Sequence, residues 1–157
     1  MRLLIIFVLV LISGNLLACS CKRISILKGQ KQSDIVFRGK VIQVIEKISN
    51  DTIPGTDKVE EYRTYEFVFE INKFFKGKKS LNSTDSITII TTADGADCGS
   101  WFDINKKYLV YSYKLNHKLN GPLWNEKTEE FYTTSLCTKT KKNKPWTIFE
   151  RIILSIT

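Results

Sequence analysis

The sequence predicts a mainly β domain, a five-stranded Greek-key barrel of the oligonucleotide/oligosaccharide-binding (OB) type, with a short N-terminal helix and a closing C-terminal helix. Three observations lead there. Five runs rich in β-branched and aromatic residues are separated by polar, turn-forming segments. One of these runs, RTYEFVFEINKFF (63–75), sets Thr64, Glu66, Val68 and Glu70 against Tyr65, Phe67, Phe69 and Ile71, a period of two that gives it one core face. Finally, PWTIFERIILSI (145–156) changes to helical spacing at Trp146, Phe149, Ile152 and Ile153, directly after a proline suited to a first helical turn. A β-sandwich is the competing arrangement.

RISILKGQKQS (23–33) reads as the short helix, and DIVFRGKVIQVIEKI (34–48) as the first strand, bent at Gly39. NDTIPGTDK (50–58) is an exposed loop, after which the alternating run supplies the second strand. KGKKSLNSTD turns the chain into SITIITT, the third strand, and ADGADCGSW forms a glycine-containing loop that carries Cys98. KKYLVYSYKL is the fourth strand, residues 116–130 are a long irregular connection, and EFYTTSLC is a fifth strand ending at Cys137.

Upstream, Arg2, the apolar run from Leu3 to Ile12 and the small Ala18 have the layout of an export signal over residues 1–18. That run is about half of the ~20 residues a bilayer-spanning helix needs. One domain, residues 19–157, remains, expected to be secreted and monomeric, with the formal charge passing from +8 to +7 on loss of Arg2. A basic balance favours acidic partners only weakly, and the lysine clusters at 76–79 and 139–144 read as solvated surface.

Cys19, Cys21, Cys98 and Cys137 form an even set, which in an exported chain reads as two disulfides. A Cys19–Cys21 bond is disfavoured because residues two apart in an extended segment sit near the upper limit for bridging. Two connectivities stay open, each joining the N-terminal pair to two distant points. A four-thiolate zinc site lacks the close second pair of cysteines.

The chemistry of an enzyme is missing. The single histidine, His117, has no nucleophile to serve, and neither a zinc-protease helix motif, a phosphate loop nor a dinucleotide turn is present. Glu60-Glu61 and Glu129-Glu130 read as solvated surface, so no catalytic residue and no cofactor is expected. Nucleic acid is not expected as a partner, since the aromatics alternate as core.

CSC directly after the signal, followed by DIVFRGKV, YEFVFEINKFFKG, DCG, KYLV, SLC and PW, resembles the N-terminal inhibitory, netrin-like domain of the tissue inhibitors of metalloproteinases. The resemblance implies an OB-type barrel, no enzymatic activity, and the pairing Cys19–Cys98 with Cys21–Cys137. It also implies a secreted inhibitor whose partner is a zinc metalloproteinase. Cys19, Ser20, Cys21 and Lys22, together with Ala96, Asp97, Cys98 and Gly99, would then form the protease-binding ridge. Cys19 would chelate the target's catalytic zinc in trans through its α-amine and carbonyl oxygen, and Ser20 would enter the specificity pocket. The family's usual third disulfide has no counterpart, and Lys22-Arg23 place two charges where smaller or apolar residues are usual.

The alternative is a netrin-like binding module that recognises an acidic glycan, a protein or a membrane surface without inhibiting a protease. Leu16-Leu17-Ala18-Cys19 also resembles a bacterial lipobox, and lipidation at Cys19 would tether such a module to a membrane.

Overall fold

The computed structural model describes residues 21–52, 56–78, 85–92, 98–115 and 131–156. Helix α1 (Ile26–Gln32) opens with Ser25 as its N-cap, whose hydroxyl accepts the Lys28 N–H at 3.3 Å, and closes on Lys76. That ammonium donates to the carbonyls of Gln30 (2.9 Å) and Ser33, a cation placed where the helix leaves its C-terminal carbonyls unpaired.

Strands β1 (Ile35–Thr52) and β2 (Val59–Lys76) make a long antiparallel hairpin, both strands running further into the turn than their apolar runs imply. β2 pairs antiparallel with β3 (Ser86–Thr92), and β3 pairs parallel with the short β5 (Phe131–Thr133). β5 pairs with β4 (Lys107–Leu115), which returns to β1, so five strands close a ring in the order β1-β2-β3-β5-β4. A two-residue β6 (Lys141–Lys142), which no hydrophobic run announces, adds to β4.

The expected bend at Gly39 is a register shift between Arg38 and Gly39. A β-carbon on Gly39 would lie 2.9 Å from the Glu70 carbonyl oxygen and 3.0 Å from the Phe37 ring, so β1 bends where it carries no side chain.

The period of two in β2 is realised as read. Phe67 and Phe69 are fully buried inside the ring with Ile35, Phe37, Val41 and Ile89, and Tyr65 and Ile71 pack against them. Phe102 stands edge-on to Phe67, Phe69 and Tyr108 at centroid separations of 5.1, 5.1 and 4.9 Å, a favoured aromatic geometry. Each fully buried ring of this kind contributes roughly 1.5–3 kcal/mol over an exposed one. Val36, Leu109 and Tyr111 face the other way, into a second cluster with Leu154, Ile26 and Phe75. β1 and β4 are therefore covered on both faces, which is why KYLVYSYKL lacks a polar face.

Two expectations change. The fifth strand does not run to Cys137: ladder pairing stops at Thr133, and Cys137 lies in a turn. The hydroxyl of Thr134 donates to the Tyr111 carbonyl at 2.9 Å and meets those of Thr138 and Thr140, each at 2.8 Å. Side-chain hydrogen bonds thus replace the ladder and fold the segment back. The closing helix begins as a 3-10 turn (Pro145–Thr147) and continues as α2 (Ile148–Ile156). Its buried residues are Glu150 and Leu154, while Trp146, Phe149, Ile152 and Ile153 are exposed. The inward Glu150 accepts the Tyr111 hydroxyl at 2.7 Å and pairs with Lys141, so its charge is met on both carboxylate oxygens. The connection at 116–130, with His117, lies outside the described residues.

Candidate functional site

One end of the ring gathers the N-terminal segment, the loop carrying Cys98 and the turn carrying Cys137. Cys21 is bonded to Cys137, with Cα atoms 5.0 Å apart and 116 residues between them in sequence. No described cysteine carries a free thiol. The turn is pinned from behind, since Thr138 donates to the Ser135 carbonyl at 2.9 Å, and Thr140 both donates to the Tyr111 carbonyl (3.1 Å) and accepts its N–H (2.9 Å). Three threonines in TTSLCTKT, Thr134, Thr138 and Thr140, therefore fasten the turn to β4 through Tyr111 and through one another.

The same turn holds the other loop. Gly99 and Ser135 form an isolated antiparallel bridge, and the Leu136 N–H donates to the Cys98 carbonyl at 2.8 Å. Cys98 takes φ = 55°, a left-handed conformation in which a non-glycine residue is strained. Gly99 follows because nothing else fits: a β-carbon there would sit 1.8 Å from the Thr92 carbonyl oxygen. Next along, the Ser100 N–H donates to the Thr91 hydroxyl at 2.9 Å in the interior, which ties the loop to the end of β3.

Of the ridge expected from the sequence, the structure brings Cys21, Cys98 and Gly99 together through residues 135–137, and it leaves Lys22 exposed beside Cys21. Cys19, Ser20, Ala96 and Asp97 lie outside the described residues. Ser135 and Leu136 join the site unannounced. Leu136 is 57% exposed, an apolar side chain held at the surface between the two loops. The one signal for it in the sequence is its place directly before Cys137. Trp101 is likewise exposed (58%), propped edge-on against Tyr65 and Phe67 at 4.9 and 5.5 Å.

The surroundings offer little for chemistry of the protein's own. A cavity of about 160 Å3 lies behind the seam, lined by Thr64, Thr91, Gly99, Tyr113, Thr133 and Ser135 among others, with no carboxylate or histidine among its described lining residues. Among the described residues no group of three or more His, Cys, Asp or Glu side chains is placed to hold a metal. Glu61 is engaged by Arg63, the guanidinium nitrogen standing 2.7 Å from the carboxylate. Asp103, across the molecule, is held below the usual carboxylate range by hydrogen bonds from Lys142 and then Tyr108, which marks a surface ion pair. Among the described residues no helix is long and apolar enough to cross a membrane.

This arrangement is a rigid, multiply fastened edge built on a closed sheet, suited to being presented to another protein. No curated protein matches the chain. The family model described as "Tissue inhibitor of metalloproteinase" matches residues 17–142, a stretch that runs from the CSC segment through the seam to β6. By that match, over most of its length, the chain belongs to the tissue inhibitor of metalloproteinase family.

Proposed function

We propose that the protein is a secreted metalloproteinase inhibitor that acts by laying a mature N-terminus at Cys19 across the target's active site. The observation that carries this reading is the seam at Cys98, Gly99, Ser135 and Leu136, together with the Cys21–Cys137 bond, which brings the N-terminal segment and the DCG loop to one edge. We infer that Cys98 pairs with Cys19, as the family resemblance implies, and the Cys21–Cys137 bond is compatible with that pairing. That second bond would hold Ser20 and the Ala96-Asp97-Cys98-Gly99 loop as one ridge, so little ordering entropy is lost on docking. The five-stranded ring supports assigning the fold to the OB-type Greek-key barrel that the family resemblance implies.

A catalytic zinc in a protease keeps one coordination position open. The α-amine and carbonyl oxygen of Cys19 would fill it as a chelate. An α-amine has an ordinary pKa of about 7.7–8.0, so surrendering its proton to the metal costs little at neutral pH. Ser20 would present its hydroxymethyl group to the specificity pocket, flanked by Lys22 and the exposed Leu136.

The test is a titration of the chain beginning at Cys19 against a panel of zinc endopeptidases, beside a form with one alanine added before Cys19. Inhibition by the first and none by the second, with the fold intact in both, is the expected result. Equal inhibition by the two would overturn zinc chelation. Intact-mass measurement of the natively expressed protein accompanies it. Four missing hydrogens and no added acyl mass are expected, whereas a lipidated Cys19 would make the protein a tethered binding module.

A further inference from the structure

Beside helix α2 lies a cavity of about 250 Å3 whose lining, among the described residues, includes Arg38, Lys73 and Arg151 and no carboxylate. Arg38 and Lys73 are direct cross-strand partners on β1 and β2, so their side chains share one face of the sheet, and Arg151 reaches the same cavity from the helix. Like charges placed directly opposite destabilise a sheet. Among the described residues none of the three is in an ion pair. The Nε groups of Arg38 and Arg151 are shut off from solvent with no acceptor among the described residues, which is costly for a donor. Among the described residues Lys73 meets the Ser155 hydroxyl, at 3.0 Å, and the face of Phe75. A cluster of this kind is short of an anion.

Apart from Ser155, the rest of the lining is apolar. Phe75, Ile148, Ile152 and Ile156 complete the cavity, and all three isoleucines are substantially exposed. Further along the same helical segment Phe149 is 73% and Trp146 66% exposed, with the Lys144 ammonium 4.8 Å above the Trp146 ring. The helix turns its buried Glu150 and Leu154 inward, so the outward face is the hydrophobic one. A freely soluble anion would satisfy the cations and leave this face in water. A second copy of the chain would bring two such cation clusters together in a protein of formal charge +8.

We propose that α2 with Arg38, Lys73 and Arg151 docks on an anionic phospholipid bilayer. The three cations take headgroup phosphate, and Trp146, Phe149 and the isoleucines enter the boundary between headgroups and acyl chains, as amphipathic interfacial helices do. The proposal is independent of the inhibitor reading, and α2 lies beyond the matched stretch, which ends at residue 142.

The experiment is co-sedimentation of the chain beginning at Cys19 with phosphatidylcholine vesicles, with and without phosphatidylglycerol. Binding is expected to the anionic vesicles alone and to weaken with salt. Lys73→Gln and Arg151→Gln should each lower the partition coefficient about fivefold. Phe149→Ser, at an exposed site that leaves the core untouched, should lower it roughly tenfold. Equal binding to neutral vesicles, or a partition unmoved by all three substitutions in folded protein, would overturn the proposal. So would displacement by a soluble acidic polysaccharide whose own binding ignores Phe149→Ser, which would assign the cations to a glycan.

Discussion

The N–H of Leu136 donates to the carbonyl of Cys98 at 2.8 Å, and through this bond the turn carrying one disulfide holds the loop that carries the other ridge cysteine. Gly99 and Ser135 extend the contact into a bridge. The seam exists only while Gly99 lies against Thr92. Gly99→Ala places a methyl group on a backbone oxygen, so one strand or the other has to move. We expect a loss of about 2–4 kcal/mol in chemical denaturation. On the proposed reading inhibition should fall further than stability does, because the displaced loop would belong to the protease-binding ridge. A variant with the parent's denaturation midpoint would show that the seam tolerates a side chain.

The Cys21–Cys137 bond spans 116 residues, a long loop in the unfolded chain. Replacing both cysteines with serine should cost about 3–5 kcal/mol, the upper part of the range for native disulfides. Thermal unfolding under non-reducing conditions measures it. The threonine network around residues 134–140 should persist, since none of its hydrogen bonds uses a sulfur, and peptide mapping of the double variant should leave Cys98 joined to Cys19.

The Tyr111 hydroxyl and Glu150 make a polar contact between β4 and α2. Tyr111→Phe keeps the ring's packing and removes one of two groups that meet a buried carboxylate. The expected cost is about 1–3 kcal/mol. An unchanged unfolding midpoint would mean that Lys141 alone satisfies Glu150.

The same tyrosine makes stability depend on alkaline pH. Burial first, then the hydrogen bond and the charge of Glu150, push its hydroxyl well above the ordinary value of 10.0. The folded state therefore keeps a proton that the unfolded state gives up. The stabilisation is complete below pH 10 and is lost as pH rises beyond it. Denaturation midpoints measured from pH 8 upward should decline for the parent above about pH 10. Tyr111→Phe should lessen that decline, and the ultraviolet titration of phenolate should lose a late component.

Ser20 is expected to set selectivity in the inhibitor. On the proposed reading Ser20→Gly would remove the group that enters the pocket and should weaken inhibition about tenfold or more, the scale at which pockets discriminate small groups. A larger apolar residue should favour proteases with deep pockets. Inhibition constants unmoved by either change would place this residue outside the pocket.

The alternation at Tyr65, Phe67, Phe69 and Ile71 determined a strand and its inward face, because in an extended chain every second side chain points the same way. Five strands and two helices were legible from local patterns of this kind, and CSC with DCG and SLC pointed to the family. The order in which strands close the ring was not, since it depends on pairings such as Ile89 with Tyr132 that no local pattern records. Spacing left the disulfide partners open, and the turn at residues 134–140 brought Cys137 to Cys21. Helical spacing of Trp146, Phe149, Ile152 and Ile153 announced α2 without saying which side would be buried. Tertiary structure decided that, because Tyr111 on β4 and Lys141 on β6 meet Glu150 and draw the polar side inward. A periodic pattern fixes which residues share a face, and only the partners supplied by distant strands decide where that face turns.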